Sequence, residues 1–284
     1  MKKVLVTGGS GKAGRATIKL LLKNNYNVFN ADLINHPKLE VPFTKVDLEN
    51  FGEAMESVSE IDDRINGIDA VIHQAAIPAS GLEVNHKTFK ANTLSTYNIF
   101  QASKVMKINN IVWASSETVL GLPFDTYPPY VPVDEEYDPR PESSYSLSKV
   151  MGEEMARQYC RRNPEMKIFG LRYSNIMEEN DYNQFKSFQN DPFLRKWNFW
   201  GYIDARDVAQ ACLLAMESNL KGADNFIIAA DDTVMEEDNK LLLDKVFPNI
   251  QIKGEIGKNK TLLSNEKAKK ILGFKPEYSW KNIN

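Results

Sequence analysis

Thr7-Gly8-Gly9-Ser10-Gly11-Lys12-Ala13-Gly14 follows the apolar run Val4-Leu5-Val6 and leads into a segment with helical spacing of apolar residues. Glycine recurs every third position across that junction, at Gly8, Gly11 and Gly14. A residue without a Cβ makes the tight turn, lets the backbone approach a pyrophosphate, and lets the helix pack close to the strand. Unpaired amides and the positive helix end then attract phosphate. Gly8, Gly11, Lys12 and Gly14 are therefore candidate dinucleotide-binding residues. Asp32 stands at the end of the next apolar run, where a carboxylate accepts hydrogen bonds from the adenosine ribose and repels a 2′-phosphate. That favours NAD over NADP, although Lys12 and Arg15 pull the other way as cations close to the phosphates.

Working outward, the pattern predicts helices at about Lys12 to Lys23, Asn85 to Met106, Tyr145 to Arg161 and Asp204 to Glu217. Strands are expected at Lys3 to Thr7, Asn27 to Asp32, Thr44 to Val46, Asp69 to His73, Asn110 to Ala114 and Lys167 to Arg172. Such alternation implies βαβ units and an α/β fold with a doubly wound parallel sheet. Residues 1–172 read as the dinucleotide-binding domain, with a later segment of about 200–230 returning to it. The rest of 173–284 reads as a small carboxyl-terminal substrate cap. Six prolines between Leu122 and Pro141 predict a long irregular loop.

The chemistry is suggested by Tyr145-Ser146-Leu147-Ser148-Lys149. Four residues apart on a helix, a phenol and an ammonium share one face. A tyrosine with an ordinary pKa of about 10 is a poor base at neutral pH, and a nearby cation favours its phenolate. Removing a hydroxyl proton while hydride leaves the carbon needs such a base. Ser116 emerges at the carboxyl end of a strand, where open parallel sheets bind their ligands. It is a candidate for holding the reacting oxygen.

Several runs, in order, resemble the extended short-chain dehydrogenase/reductase family, which contains nucleotide-sugar epimerases and dehydratases. Gly8, Gly11 and Gly14 fit its TGGxGxxG pattern, Asp47-Leu48 its adenine-flanking pair, and His73-Gln74-Ala75-Ala76 its H-x-A-A run beside the cofactor ribose. Asn92 matches a recurrent helix asparagine, and Ala114 to Gly121 resembles an SSxxVYG segment with Leu120 in place of tyrosine. The resemblance implies NAD held by Asp32, Asp47, Leu48, Ala75, Tyr145 and Lys149 besides the glycine loop. It makes Tyr145 the acid/base, with Lys149 and Ser116 completing the catalytic set. Glu117 and Asn175 join Ser116 as substrate-binding candidates, Glu117 standing where the family's dehydratases carry an acid. The resemblance also implies a homodimer formed through the two long helices at 85–106 and 145–161.

Two departures bear on substrate. The R-x-x-N-x-Y-G-P run is reduced to Arg172-Tyr173-Ser174-Asn175-Ile176-Met177-Glu178, and Trp200 stands where epimerases often place an arginine for a diphosphate. Arg195, Lys196 or Arg206 are possible substitutes for that cation. Both departures fit a smaller substrate, and the glycine turn, the Ser115-Ser116 segment and the short cap also resemble uronate dehydrogenases, which favours a free sugar or sugar acid. Trp197 and Trp200 are equally open to a sugar-stacking and a packing role, whereas Trp113 reads as core. A nucleotide-sugar epimerase or dehydratase that retains NAD is the alternative, and a non-catalytic dinucleotide-binding regulator is a second.

With 284 residues, 42% apolar and 26% charged, the chain suits a globular protein with one large core. A net charge of -3 gives no basic stripe for nucleic acid, and no apolar run suits a membrane span. Two cysteines and three scattered histidines suggest no disulfide and no metal site, and the expected setting is cytoplasmic.

Overall fold

The computed structural model describes residues 2–59 and 67–282. The chain begins with β1 (Lys3–Thr7), α1 (Lys12–Lys23), β2 (Asn27–Asp32), β3 (Phe43–Lys45), α2 (Phe51–Ser59) and β4 (Ala70–His73). It continues through α3 (Asn85–Val105), β5 (Asn110–Ser116), α4 (Ser144–Arg162), β6 (Lys167–Tyr173) and β7 (Ile176–Met177). After a short helix α5 (Phe185–Phe188) come β8 (Ile203–Asp204), α6 (Ala205–Glu217), β9 (Gly222–Ile228), α7 (Asn239–Val246) and α8 (Glu266–Leu272).

Seven strands form one sheet in the order β3-β2-β1-β4-β5-β6-β9, every pair parallel. The central strands are buried on both faces, which is why β1 and β4 are apolar without alternation. Order reverses between β1 and β4, so the crevice at the carboxyl ends opens there, beside the glycine loop. Helix α1 turns Gly14, Thr17, Ile18 and Leu21 inward at helical spacing. On the opposite face Phe100, Trp113 and Tyr159 pack edge to face. Trp113 is thus core, as the sequence suggests.

Two elements depart from the sequence reading, and a third matches it but is buried. A helix, α2, occupies a stretch left unassigned between β3 and β4. The strand β9 completes the sheet, although its first half is polar because it lies at an edge. The segment 122–141 lacks helix or strand, yet Leu122, Phe124, Val131 and Val133 are buried. They join Phe199, Trp200, Tyr202 and Phe247 in a second core beside the sheet's carboxyl edge. Trp200 is fully buried there and donates its indole N–H to the Pro192 carbonyl at 2.7 Å. A stacking role for Trp200 is therefore excluded: its ring faces Phe199 and Phe247, not the cleft. Helix α8 packs back onto the sheet core through Ala268 and Leu272, together with α6.

Helix α4 sits unusually close to β5. A Cβ on Gly152 would stand 2.5 Å from the Trp113 ring, so only glycine admits this approach. The helix start is fixed by a reciprocal cap between Ser143 and Ser146. Replacing Gly152 by Val should lower stability by about 1–3 kcal/mol through overpacking against the indole. Urea denaturation would read this directly, and an unchanged midpoint would mean the helix can shift without penalty.

Candidate active site

A cleft of about 1170 Å³ runs from Asp32 and Leu33, past the glycine loop, to Tyr145 and Trp197. Its floor at the first turn is crowded by design. Gly8 has φ +69°, and a Cβ there would lie 2.5 Å from the Ala75 nitrogen. A Cβ on Gly14 would lie 2.3 Å from the Gly8 carbonyl oxygen. Gly11 differs: nothing but that carbonyl, at 3.4 Å, faces its missing Cβ, so its bareness leaves room in the cleft rather than relieving a clash. It is also the N-cap of α1, with no side-chain cap and no acid in the first turn. The helix end is thus open to an anion.

Asp32 accepts from Ser10 N at 3.0 Å and Leu33 N at 2.7 Å, which aims its carboxylate along the cleft wall. Asp47, Leu48 and Ala75 line the same wall. Lys12 lines the cleft too, but its ammonium bonds Asp181. Arg15 donates to Ser10 O at 2.7 Å and Glu178 Oε1 at 2.5 Å. Both cations are therefore neutralised by carboxylates, and neither is held out for a 2′-phosphate.

At the far end, β5 and α4 bring Ser116, Tyr145 and Lys149 together. Lys149 donates through Nζ to the Ala114 carbonyl at 2.8 Å and lies 5.5 Å from the Tyr145 ring centre. Ser116 caps a one-turn 3-10 helix, accepting from Thr118 N at 3.2 Å, and lines the cleft together with Tyr145. Burial pushes Tyr145 up to about 12, against the lowering pull of Ser116 and with the Glu117 charge adding to the rise. Burial likewise lowers Lys149 to about 8. A cation within reach favours a phenolate, but in the protein alone burial dominates the phenol, and the Lys149 ammonium donates to a backbone carbonyl.

Glu117 is 3% exposed and lies in the same cleft. Its carboxylate accepts from Ser174 Oγ at 2.6 Å and Asn198 Nδ2 at 3.2 Å. Burial raises it to about 7, against the pull of Ser174, Asn198, the Arg195 charge and the Asn175 backbone. Asn175 lines the cleft beside Ile176. Sequence reasoning missed Ser174, Asn198 and Arg195, which lie 57 to 81 residues from Glu117 and carry no local signature. It also missed the buried pair of Glu153 with Arg172 (2.7 and 2.8 Å), to which Ser115 donates at 2.6 Å. His73, the first residue of the H-x-A-A run, is buried and lowered to about 3 by burial and then by Lys149, with Thr7 Oγ1 2.7 Å from Nδ1.

None of the three cations considered for a diphosphate lines the cleft. Arg195 is buried and donates to Gly201 O, Arg206 is held bidentate by Asp204, and Lys196 lies 3.6 Å from Asp125. Among the described lining residues, Lys12 and Lys149 are the only lysines or arginines. No group of His, Cys, Asp or Glu among the described residues is arranged to hold a metal ion.

Residues 4–229 match the model of the NAD dependent epimerase/dehydratase family. The chain belongs to that family. It is 32% identical over 193 residues to a putative UDP-glucose 4-epimerase of Methanocaldococcus jannaschii, covering 64% of this chain and 56% of that one. It is 30% identical over 192 residues to a bifunctional UDP-glucose 4-epimerase and UDP-xylose 4-epimerase of Pisum sativum, covering 61% and 52%. The chain thus spans about half the length of the curated relatives it matches. In fold it resembles a short-chain dehydrogenase/reductase superfamily protein of Agrobacterium tumefaciens solved with bound NAD. That match has a TM-score of 0.75 at 22% identity over 98% of this chain and 94% of that one. NAD, the family's cofactor, fits the bare Gly11, the open end of α1 and the Asp32 carboxylate described above.

Glu117 makes a pH signature. Its folded value near 7 exceeds the ordinary 4.5, so the stabilisation of its neutral form is complete below 4.5 and lost as pH rises through 7. Relative to the native protein, Glu117→Gln should therefore gain about 2–3 kcal/mol between about pH 5 and pH 8. Denaturant midpoints at the two pH values test this; a constant difference would place the carboxyl in contact with water.

Proposed function

We propose that the protein uses NAD to remove hydride from a hydroxyl-bearing carbon of a carbohydrate and, by returning it within one cycle, epimerises that carbon. The observation that carries this reading is the Tyr145 phenol, 8% exposed, which shares one cleft with Ser116, with Lys149 one helical turn away, and with the glycine loop. Bound NAD supplies the hydride acceptor and, while oxidised, a positive ring that favours the phenolate. Tyr145 takes the proton of the substrate hydroxyl, and Ser116 holds that oxygen in line with it. Lys149, anchored on the Ala114 carbonyl, keeps positive charge beside the phenol and offers its remaining N–H groups to the cofactor ribose. Burial excludes water from the transfer. The 4-epimerase activity named for both curated relatives supports hydride return and a nucleotide-sugar substrate.

One observation favours a second reading, net oxidation of a free sugar or sugar acid. Among the described lining residues there is no unpaired cation to receive a diphosphate, and Trp200 is withdrawn into the core. In either case Glu117 and Asn175 bind substrate hydroxyls, and Trp197, which lines the cleft, offers a flat wall for the ring. The sheet with its return at about 200–230 serves as the dinucleotide-binding domain, and the second core as the substrate cap. Pairing of two copies through α3 and α4 is supported by Tyr97, Val105, Leu147 and Met151, which those adjacent helices leave exposed. The proposed setting is the cytoplasm; among the described residues no helix is long and apolar enough to cross a membrane.

The test is turnover of UDP-glucose and UDP-galactose without net NADH, set against NADH release from free hexoses and uronic acids. Interconversion without a rise in NADH absorbance supports epimerisation, and a rise with free sugars supports the second reading. Tyr145→Phe should lower the rate by about 10²–10⁴-fold while leaving NAD binding nearly intact. Full activity in that variant removes the phenol from the mechanism, and no turnover of any sugar by the native protein leaves a dinucleotide-binding regulator.

A further inference from the structure

Two cations at the start of α1 face two carboxylates on the turn that follows β7. Lys12 bonds Asp181, and Arg15 bonds Glu178 while also donating to the Ser10 carbonyl. The carboxylates are arranged before they meet their partners. Glu178 and Asp181 form a reciprocal cap, in which Asp181 Oδ2 accepts from Glu178 N at 2.7 Å. The turn is fastened to the cap by Tyr182, which is buried and donates to Asp204. Arg206 then holds Asp204 from the other side at 2.8 Å.

Gly11 and Lys12 line the cleft, and so do Asn175 and Ile176, shortly before Glu178. The ion pairs thus join the start of α1 to the segment after β7, beside the glycine loop that would hold the pyrophosphate stretch of a dinucleotide. We propose that Glu178 and Asp181, through Arg15 and Lys12, form a strap across the cofactor that slows its exchange with solvent. This goes beyond the proposed reaction and rests on it only for the placement of the dinucleotide. A retained cofactor, reduced in the first half of a cycle, is still present to return its hydride in the second. A freely exchanging one suits net dehydrogenation.

The carboxylates admit an opposite role: by neutralising Lys12 and Arg15 they would weaken phosphate binding, and their removal would tighten it. The sign of the effect separates the two. The protein is loaded with NADH and chased with excess NAD, and release is followed as loss of energy transfer from tryptophan to bound NADH. Exposed pairs are individually weak, so the Glu178→Gln/Asp181→Asn double variant should release NADH about tenfold faster at about 50 mM NaCl. Glu178→Gln alone, which keeps the Asp181 carboxylate that caps the turn, should fall between. Raising NaCl to about 0.5 M should speed release from the native protein and leave the double variant nearly unchanged. Release that is unchanged or slower in both variants overturns the strap. A native protein that takes up no NADH overturns the placement of the cofactor itself, whereas sugar turnover does not enter the readout.

Discussion

The bond from the Lys149 ammonium to the Ala114 carbonyl is the contact on which the rest of the site depends. It ties the second turn of α4 to the carboxyl end of β5, and so fixes where Tyr145 stands relative to Ser116. Gly152, one turn further along, makes the approach sterically possible, and Ser143 sets where the helix begins. A loop would hold the phenol less firmly, since a catalytic group gains most when its neighbours lock its position. Burial is what keeps the phenol high in the protein alone. The ammonium is directed at a carbonyl, and burial governs both side chains.

Charge is distributed unevenly along the cleft. The glycine-loop end offers amides and a helix terminus, while its two nearby cations are already matched by carboxylates. The Tyr145 end offers Glu117, Ser174, Asn175 and Trp197, and no free cation among the described lining residues. Such a surface recognises hydroxyls by hydrogen bonding more readily than it recognises phosphate. The curated relatives act on nucleotide sugars by name, so the two lines of support differ on whether the substrate carries a nucleoside diphosphate.

What could be read from the sequence was what depends on near neighbours. The glycine spacing after β1, the Asp32 carboxylate, and the Tyr145–Lys149 interval all report local geometry, and their positions follow from one strand or one turn of helix. Trp200 was not legible in the same way. Trp200 and its neighbour Phe199 have positive φ, and whether the ring points to the cleft or the core is decided by Pro192, Phe247 and the buried loop at 122–133. Nor could the frame around Glu117 be read, because Ser174 and Asn198 reach it from two later segments. The strand β9 escaped notice because Gly222-Ala223-Asp224-Asn225 lacks the apolar run of its inner neighbours. Its place is secured by pairing with β6 rather than by its own pattern.

That pairing bears on how the chain is made. The outer partner of β6 is separated from it by the whole excursion through β7, β8 and α6. As the polypeptide emerges from its amino end, β6 is complete at residue 173 while its neighbour ends only at residue 228. During that interval a strand that is buried along its whole length in the finished fold presents a row of unsatisfied amides and carbonyls, the kind of edge that recruits foreign strands. The nascent protein thus passes through its most association-prone stage late in synthesis, when most of the sheet already exists.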